Sequence, residues 1–497
     1  MALGQLQRTF AGSQYLQQLR LLPQSFSLSN SQLVKAAAGL WDKLHPSSSC
    51  VVQWLQILGE SPAGWLLVLA AFWVLSQCVE TGLLGAASLA LSGLALLACI
   101  FTPAKSLKLT SVDGWIIAYG LTALVACGFS SVQPESLSGF FKVAVMLIAW
   151  LGFRSLFGRF PVLIGWTLGI WALSGGAQAV VAWQQLHSTS MEALATWQDP
   201  SLDASLQLTR VYGTLPPFNP NLLAGFLIPC LGASLGLWGW QLSEMKTTAL
   251  VSWGRISVLT ILTLLTAWAL VATGSRGGYL ALAAIGITFV AGSGHLIFRG
   301  EATPNTPILK RLWAWGIALV VLSVAALLLK SEKIMARLAS IGAGADDSSI
   351  AYRFHVYQSA WRMIQDHWLT GIGPGNLTFE AVYGFYMAPG IFALGCYSVP
   401  LEVWVEHGIV GLIAFAGLWI STAMAGFWVI DTPGIKPEYR WWAVALLAIW
   451  VGQGVYGLFD TVWYRPAVQL TTWATVAAIA VLVSLTQQPA NKGLAHD

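Results

Sequence analysis

Uninterrupted apolar runs recur along this chain, each close to the ~20 residues a helix needs to cross about 30 Å of hydrocarbon. They lie at 64–80, 82–101, 113–130, 139–157, 160–183, 221–240, 256–274, 278–298, 312–330, 408–430, 441–459 and 466–486. Within lipid every backbone N–H and C=O must be satisfied inside the segment, so runs of this length read as helices. Composition agrees: 56% of residues are apolar, 9% are charged and mean hydropathy is +0.67, a balance outside that of globular domains. The expected fold is all-α, a polytopic integral membrane bundle of about 12 transmembrane helices, with 10 to 12 compatible with the runs. The first run is short and the second follows it closely, so an arrangement with fewer crossings, or one re-entrant segment, fits the same sequence.

Residues 1–63 carry Arg8, Arg20, Lys35 and Lys43 with no long apolar core near the start, as expected of a cytoplasmic N-terminal extension rather than a cleaved signal. The transmembrane domain then runs over 64–486, and 487–497 form a cytoplasmic tail. With the N-terminus inside, sixteen of the 25 lysines and arginines fall on the cytoplasmic side, Arg154 and Arg159 among them, the excess that inner loops carry. The remaining nine lie on or near the outer face, mostly in two long connections, 184–220 and 331–407. Loops this long usually have structure or function of their own. In the larger, Tyr352, Val356, Ala360 and Met363 recur at helical spacing before Gly371 and Pro374, which predicts an amphipathic helix along the membrane surface. Glu402 and Glu406, four apart, should share a helical face just before the tenth run.

One short hairpin stands out. In "VATGSRGGYLAL" a single arginine, Arg276, joins the seventh and eighth runs on the face where cations are least expected. A snorkelling arginine at the interface is the plain reading. Against it, no acid lies within twenty residues on either side, and the flanking glycines let a ligand or backbone approach closely. Arg210, before "VYGTLPPFNPNLLAGF", Arg353, in the surface helix, and Arg465, in "FDTVWYRPA", share this face. Guanidinium forks of this kind suit phosphate, carboxylate or bicarbonate. Asp460 is also placed to pair with Arg465, a structural alternative to anion binding. Cys78, Cys99, Cys127 and Cys230 lie in the runs as small packing residues, and Cys50 and Cys396 fall on opposite sides. No metal, disulfide, cofactor or nucleic acid is expected, because no zinc-ligand spacing, Walker loop or dinucleotide fingerprint is present.

The segments "SRGGYLAL", "YRFHVYQSAWRMIQDHWLTGIGPGN" and "LEVWVEHGIVGL" resemble the membrane superfamily of O-antigen ligases and polymerases, over approximately residues 205–425. More closely, "RVYGTLPPFNPNLLAGFLIP", "YSVPLEVWVE" and "LFDTVWYRP" resemble the cyanobacterial IctB family, whose members are named as bicarbonate transporters. The superfamily resemblance implies metal-independent transfer of a glycan from a polyprenyl pyrophosphate carrier to an acceptor hydroxyl at the outer face. It implies arginines on the pyrophosphate, here Arg276 and Arg353, with Arg210 a weaker match because "LPPFNPN" is longer than the family's turn. Where the ligases place a histidine as general base, this chain has Tyr397 and Ser398. A tyrosine with an ordinary pKa of ~10 is a donor at neutral pH, not a base. Tyr397, His355 and Glu402 are therefore the candidate catalytic residues, with Glu406 and His407 nearby, and each has solvation as its plain alternative.

Two function classes follow. The IctB resemblance implies a protein of inorganic-carbon accumulation, in a cyanobacterial plasma membrane, binding bicarbonate as its anionic ligand. The superfamily implies a glycan ligase or polymerase whose anionic ligand is a polyprenyl-pyrophosphate-linked glycan. Both partners lie at the bilayer. No inverted repeat and no acidic residue at the centre of a run is evident, which disfavours a midplane ion-coupled carrier. Membership of a larger membrane assembly is the third, least specific reading.

Overall fold

The computed structural model describes residues 57–101, 109–187, 210–245, 249–299 and 348–487, with isolated positions at Gln53 and between 307 and 317. In chain order the helices are α1 (Pro62–Leu75), α2 (Thr81–Phe101), α3 (Ser111–Phe129), α4 (Gln133–Arg159), α5 (Val162–His187), α6 (Pro220–Ser243), α7 (Leu250–Ala272) and α8 (Arg276–Arg299). They continue with α9 (Ser348–Asp366), α10 (Asn376–Tyr383), α11 (Val399–Asp431), α12 (Pro437–Gly457), a 3-10 turn (Val462–Tyr464) and α13 (Pro466–Thr486). Among the described residues eight helices, α3 to α8, α11 and α13, are long and apolar enough to cross a membrane. The chain is an all-α, multi-pass membrane protein.

The apolar runs and the helices coincide closely, with instructive differences. The first run, 64–80, yields only the 14-residue α1, about 21 Å of helix at 1.5 Å per residue and too short to cross. The helix ends before Cys78, which is exposed in the turn that follows rather than packed in a span. Run 312–330, the N-terminal extension and the tail lie outside or almost wholly outside the described residues. Run 441–459 forms α12, which is long enough to span but falls outside the eight by composition. It packs between α6 and α8, so its polar Gln453 bonds Thr471 of α13 at 3.1 Å instead of facing lipid.

At the centre stand α6 and α13, whose apolar windows are 89% and 94% buried. Without a hydrophobic drive between helices in lipid, close packing of small residues holds such pairs. On α6, Gly232 lies against Ile449 and Gly236 against Ala445 of α12, so that a side chain at either glycine would overlap the neighbouring helix. The α4 end of the bundle is tied differently. Asp113 caps α3 by accepting from Thr110 N at 2.6 Å and also receives Arg154 Nε at 3.1 Å and Nη2 at 3.2 Å. Arg154 is therefore a buried structural cation rather than part of a basic inner loop. Removing one partner of such a pair leaves an uncompensated buried charge, so Arg154→Ala should lose about 3–5 kcal/mol of stability. Thermal unfolding in detergent reads this directly, and a shift of a degree or so would refute it.

The segment from α9 to α11 builds a small core of its own. Val356, Ala360, Met363 and Ile364 of α9 pack on Ile372, Phe379, Val382, Cys396 and Val405. The predicted amphipathic helix is present, but its apolar face is covered by protein and not laid on a membrane surface. Below it α11 breaks at Gly408, with φ 66° and ψ −170°. The break frees the carbonyls of Val405 and Glu406, which accept from Ile372 N at 2.9 Å and Gly373 N at 3.0 Å, while Ile409 N donates to Trp368 O at 2.8 Å. The turn "GIGPGN" thus completes the hydrogen bonding of an interrupted helix, as buried backbone polar groups require. Gly139 of α4 lets the Pro374 carbonyl rest directly on the α4 backbone, where any Cβ would overlap it.

Candidate functional site

The loop before α6 is moulded by two glutamines of α5. Gln185 Oε1 accepts from Tyr212 N at 3.0 Å and Gly213 N at 3.1 Å, and Gln178 accepts from Thr214 N at 3.1 Å while donating to Thr214 Oγ1 at 2.7 Å. Held this way, Arg210 donates from Nε to Thr273 O at 2.8 Å and from Nη2 to Asn221 Oδ1 at 2.7 Å. Asn221 in turn donates to Asp460 Oδ2 at 3.0 Å. From the other side Arg353 Nη2 lies 3.5 Å from the same Asp460 oxygen, and Arg353 Nη1 donates to Phe459 O. Two arginines from distant parts of the chain therefore flank one carboxylate, Arg353 directly and Arg210 through Asn221.

The hairpin that carries Arg276 belongs to the same end of the bundle. Tyr456 donates to Asn221 O at 2.7 Å and approaches Ser275 Oγ at 3.4 Å. A Cβ on Gly277 would lie 3.2 Å from the Tyr456 ring. Arg276 sits between these two residues at the start of α8, where helical N–H groups and the dipole also favour an anion. Arg210 and Arg353 are thus joined through Asn221 and Asp460, and Ser275 and Gly277, the neighbours of Arg276, lie beside Tyr456 of the same cluster. Burial pushes the Asp460 carboxyl above its usual range, against the opposing pull of Arg353 and of the Thr461 and Val462 amides. Those two amides donate to Asp460 Oδ1 at 2.8 and 3.2 Å.

Tyr397 adjoins this cluster. The Arg353 guanidinium lies 5.2 Å from the centre of its ring, a cation–π contact, and Tyr352 meets the ring edge-on at 5.8 Å. Its φ of 53° is unusual for a non-glycine residue, and such local strain often marks a functional position. Burial, then Tyr352, push the phenol upward, with Arg353 opposing. Tyr397 therefore stays protonated and is a hydrogen-bond donor.

The other sequence candidates separate. His355, two residues beyond Arg353 on α9, is exposed on the opposite side of the helix from Val356 and Ala360. Arg465 is exposed at the start of α13, and the Asp460 carboxylate bonds Arg353, not Arg465. Glu402 and Glu406 do share a face, but the structure buries them at 3% and 1% exposure. Glu402 accepts from Cys396 N at 2.8 Å and Glu406 from Gly375 N at 2.9 Å. Each clamps one turn onto the broken helix. His407 stacks on Tyr119 at 5.1 Å, with its Nε2 3.7 Å from Glu406 Oε2.

The residues that sequence reasoning missed are Asn221, Tyr456, Ser275 and the α5 glutamines. "FNPN" and "FDT" signalled a turn and an acid; Tyr456 and Gln178, inside apolar runs, gave no local sign.

Fold and site together define a multi-pass helical membrane protein with a cluster of arginines around one carboxylate at an end of the bundle. Residues 261–416 match the family model described as O-Antigen ligase. This region, from within α7 to the first turns after the α11 break, is O-antigen ligase-like and includes Arg276, Arg353 and Tyr397. No curated protein matches the chain.

Proposed function

We infer that the protein binds the pyrophosphate of a lipid-linked glycan at its extracytoplasmic face and transfers the glycan to an acceptor hydroxyl. The observation that carries this reading is the network Arg353, Asp460, Asn221, Arg210, in which rigid cationic donors already converge on an anion. In the transfer, the acceptor oxygen forms a bond to the anomeric carbon as the bond from that carbon to the pyrophosphate oxygen breaks. The pyrophosphate leaves on its lipid with the electron pair, and the proton of the acceptor hydroxyl passes to bulk water. Preorganised guanidinium groups aimed at the departing charge are the kind of group that lowers such a barrier. With tyrosine at 397, the site is better equipped to neutralise the leaving group than to remove the acceptor proton. The proposal places the N-terminus inside, the transmembrane domain at 64–486 with its ligase-like core at about 205–425, and the long connection 331–407 outside.

A second reading rests on the size of the anion in place. Asp460 presents a single carboxylate between the arginines, and bicarbonate has the same planar, singly charged head. This is the IctB-like alternative, in which the protein handles inorganic carbon.

One reconstitution separates the two. In liposomes, wild-type protein should consume a radiolabelled polyprenyl-pyrophosphate-linked glycan, and Arg276→Ala should abolish that consumption while inserting normally. Saturable uptake of labelled bicarbonate that Arg276→Ala abolishes, without glycan turnover, would instead establish the second reading.

A further inference from the structure

A second set of side chains lines an open groove of about 630 Å³ between α9 and the first turns of α11, formed by Tyr357, Gln358, Trp361, Arg362, Gln365 and Leu401. The volume is within the ~300–1,000 Å³ of small-molecule sites. Tyr357, Trp361 and Gln365 are successive i, i+4 positions on α9, and Gln358 and Arg362 form the adjacent row. Trp361 is half exposed, and Trp404 of α11 meets it edge-on at 5.8 Å and 88°, which fixes the ring with one face open. The side chains of Gln358, Arg362 and Gln365 make no hydrogen bond or ion pair among the described residues and are exposed. A purely solvated helix face does not need a tryptophan held at right angles by a second tryptophan. The groove also joins the arginine site, because Tyr357 Oη donates to Tyr397 O at 3.5 Å and Tyr397 lies under Arg353.

An aromatic face bordered by amides and a guanidinium, all with unused hydrogen-bonding capacity, matches one ligand chemistry well. Pyranose rings present an apolar C–H face for stacking and a rim of hydroxyls that accept and donate. We propose that this groove is a saccharide subsite, in which Trp361 stacks on a sugar ring while Gln358, Arg362 and Gln365 bond its hydroxyls. A glycan whose pyrophosphate lay among Arg210, Arg276 and Arg353 would pass Tyr397 and Tyr357 and run along α9. The orientation of the chain rests on the glycan-transfer reading; sugar binding itself does not require the arginines. A small anion such as bicarbonate has no use for such a groove.

The test is saturation-transfer NMR on the full chain in lipid nanodiscs, with maltotetraose, cellotetraose and tetra-N-acetylchitotetraose as probes, which vary linkage and substituents around a common pyranose face. Wild-type protein should transfer saturation to the ring protons of at least one probe. Trp361→Ala should weaken that binding about tenfold, the size of one aromatic hot-spot contact. Gln358→Ala combined with Gln365→Ala, both exposed, should lower it without disturbing the fold, and Arg276→Ala should retain it. No transfer from any probe, or equal transfer in wild type and Trp361→Ala, overturns the proposal. Transfer to lipid headgroup protons alone overturns it too, by marking the groove as a membrane contact. Glycan turnover that persists while the Trp361 dependence fails sinks the groove and leaves the arginine reading standing; sugar binding without turnover does the reverse.

Discussion

Arg353→Ala is expected to weaken binding of inorganic pyrophosphate by about 10- to 100-fold, since a hydrogen bond to a charged group contributes about 1.5–3 kcal/mol. Arg353 reaches the cluster from α9, more than a hundred residues before Asp460, and contributes both a direct ion pair at 3.5 Å and a bond to Phe459 O. The fold should tolerate the change, because Asp460 keeps Asn221 Nδ2 and the amides of Thr461 and Val462. Arg353→Lys should fall between the two: it keeps the charge but loses the planar fork that can bond the anion and stack on Tyr397 together. Calorimetry in nanodiscs at fixed ionic strength gives the comparison. An unchanged affinity in Arg353→Ala, with an unchanged melting temperature, would remove the arginine cluster as an anion site.

The second large effect is on stability. Gly408→Ala should destabilise the protein by about 2–4 kcal/mol, combining the cost of a left-handed φ with overpacking. At 66° an L side chain is strained, and the new Cβ would overlap the Leu369 carbonyl. Relief requires the helix break to move away from the "GIGPGN" turn, which breaks the bonds from Ile372 N and Gly373 N into α11. Because that turn also receives Glu406 at Gly375, the α9 to α11 segment should loosen as a unit. Hydrogen exchange would show faster exchange at Ile372 and Gly373. Gly169→Ala, at a helical position with open space around it, is the control and should be neutral or slightly stabilising. Equal melting temperatures for the two variants would contradict this account of the break.

Much of the architecture was readable because membrane crossing is a local, additive requirement. Runs 221–240 and 466–486 became α6 and α13 almost residue for residue, since a crossing helix satisfies its own backbone and needs only length and apolarity. The reading weakened where a neighbour decides. Run 64–80 was interrupted by Gln77, which bonds Ser174 and Gln178 in α5, and that partner cannot be seen from the run itself. For α9, helical spacing correctly marked Val356, Ala360 and Met363 as one buried face, yet periodicity says only that a face is covered. It does not say whether lipid or protein covers it.

The sequence by itself determined an all-α membrane protein, the approximate ends of its crossings, and a set of arginines between those crossings. Tertiary structure alone decided which of them act together. Arg353 met Asp460 while Arg465, five residues from that acid, stayed exposed; Arg210 was joined through Asn221. Glu402 and Glu406 became buried clamps. The reason is physical: crossing a membrane depends on a summed local property, whereas a polar site depends on the direction and distance of a few bonds between segments far apart in the chain.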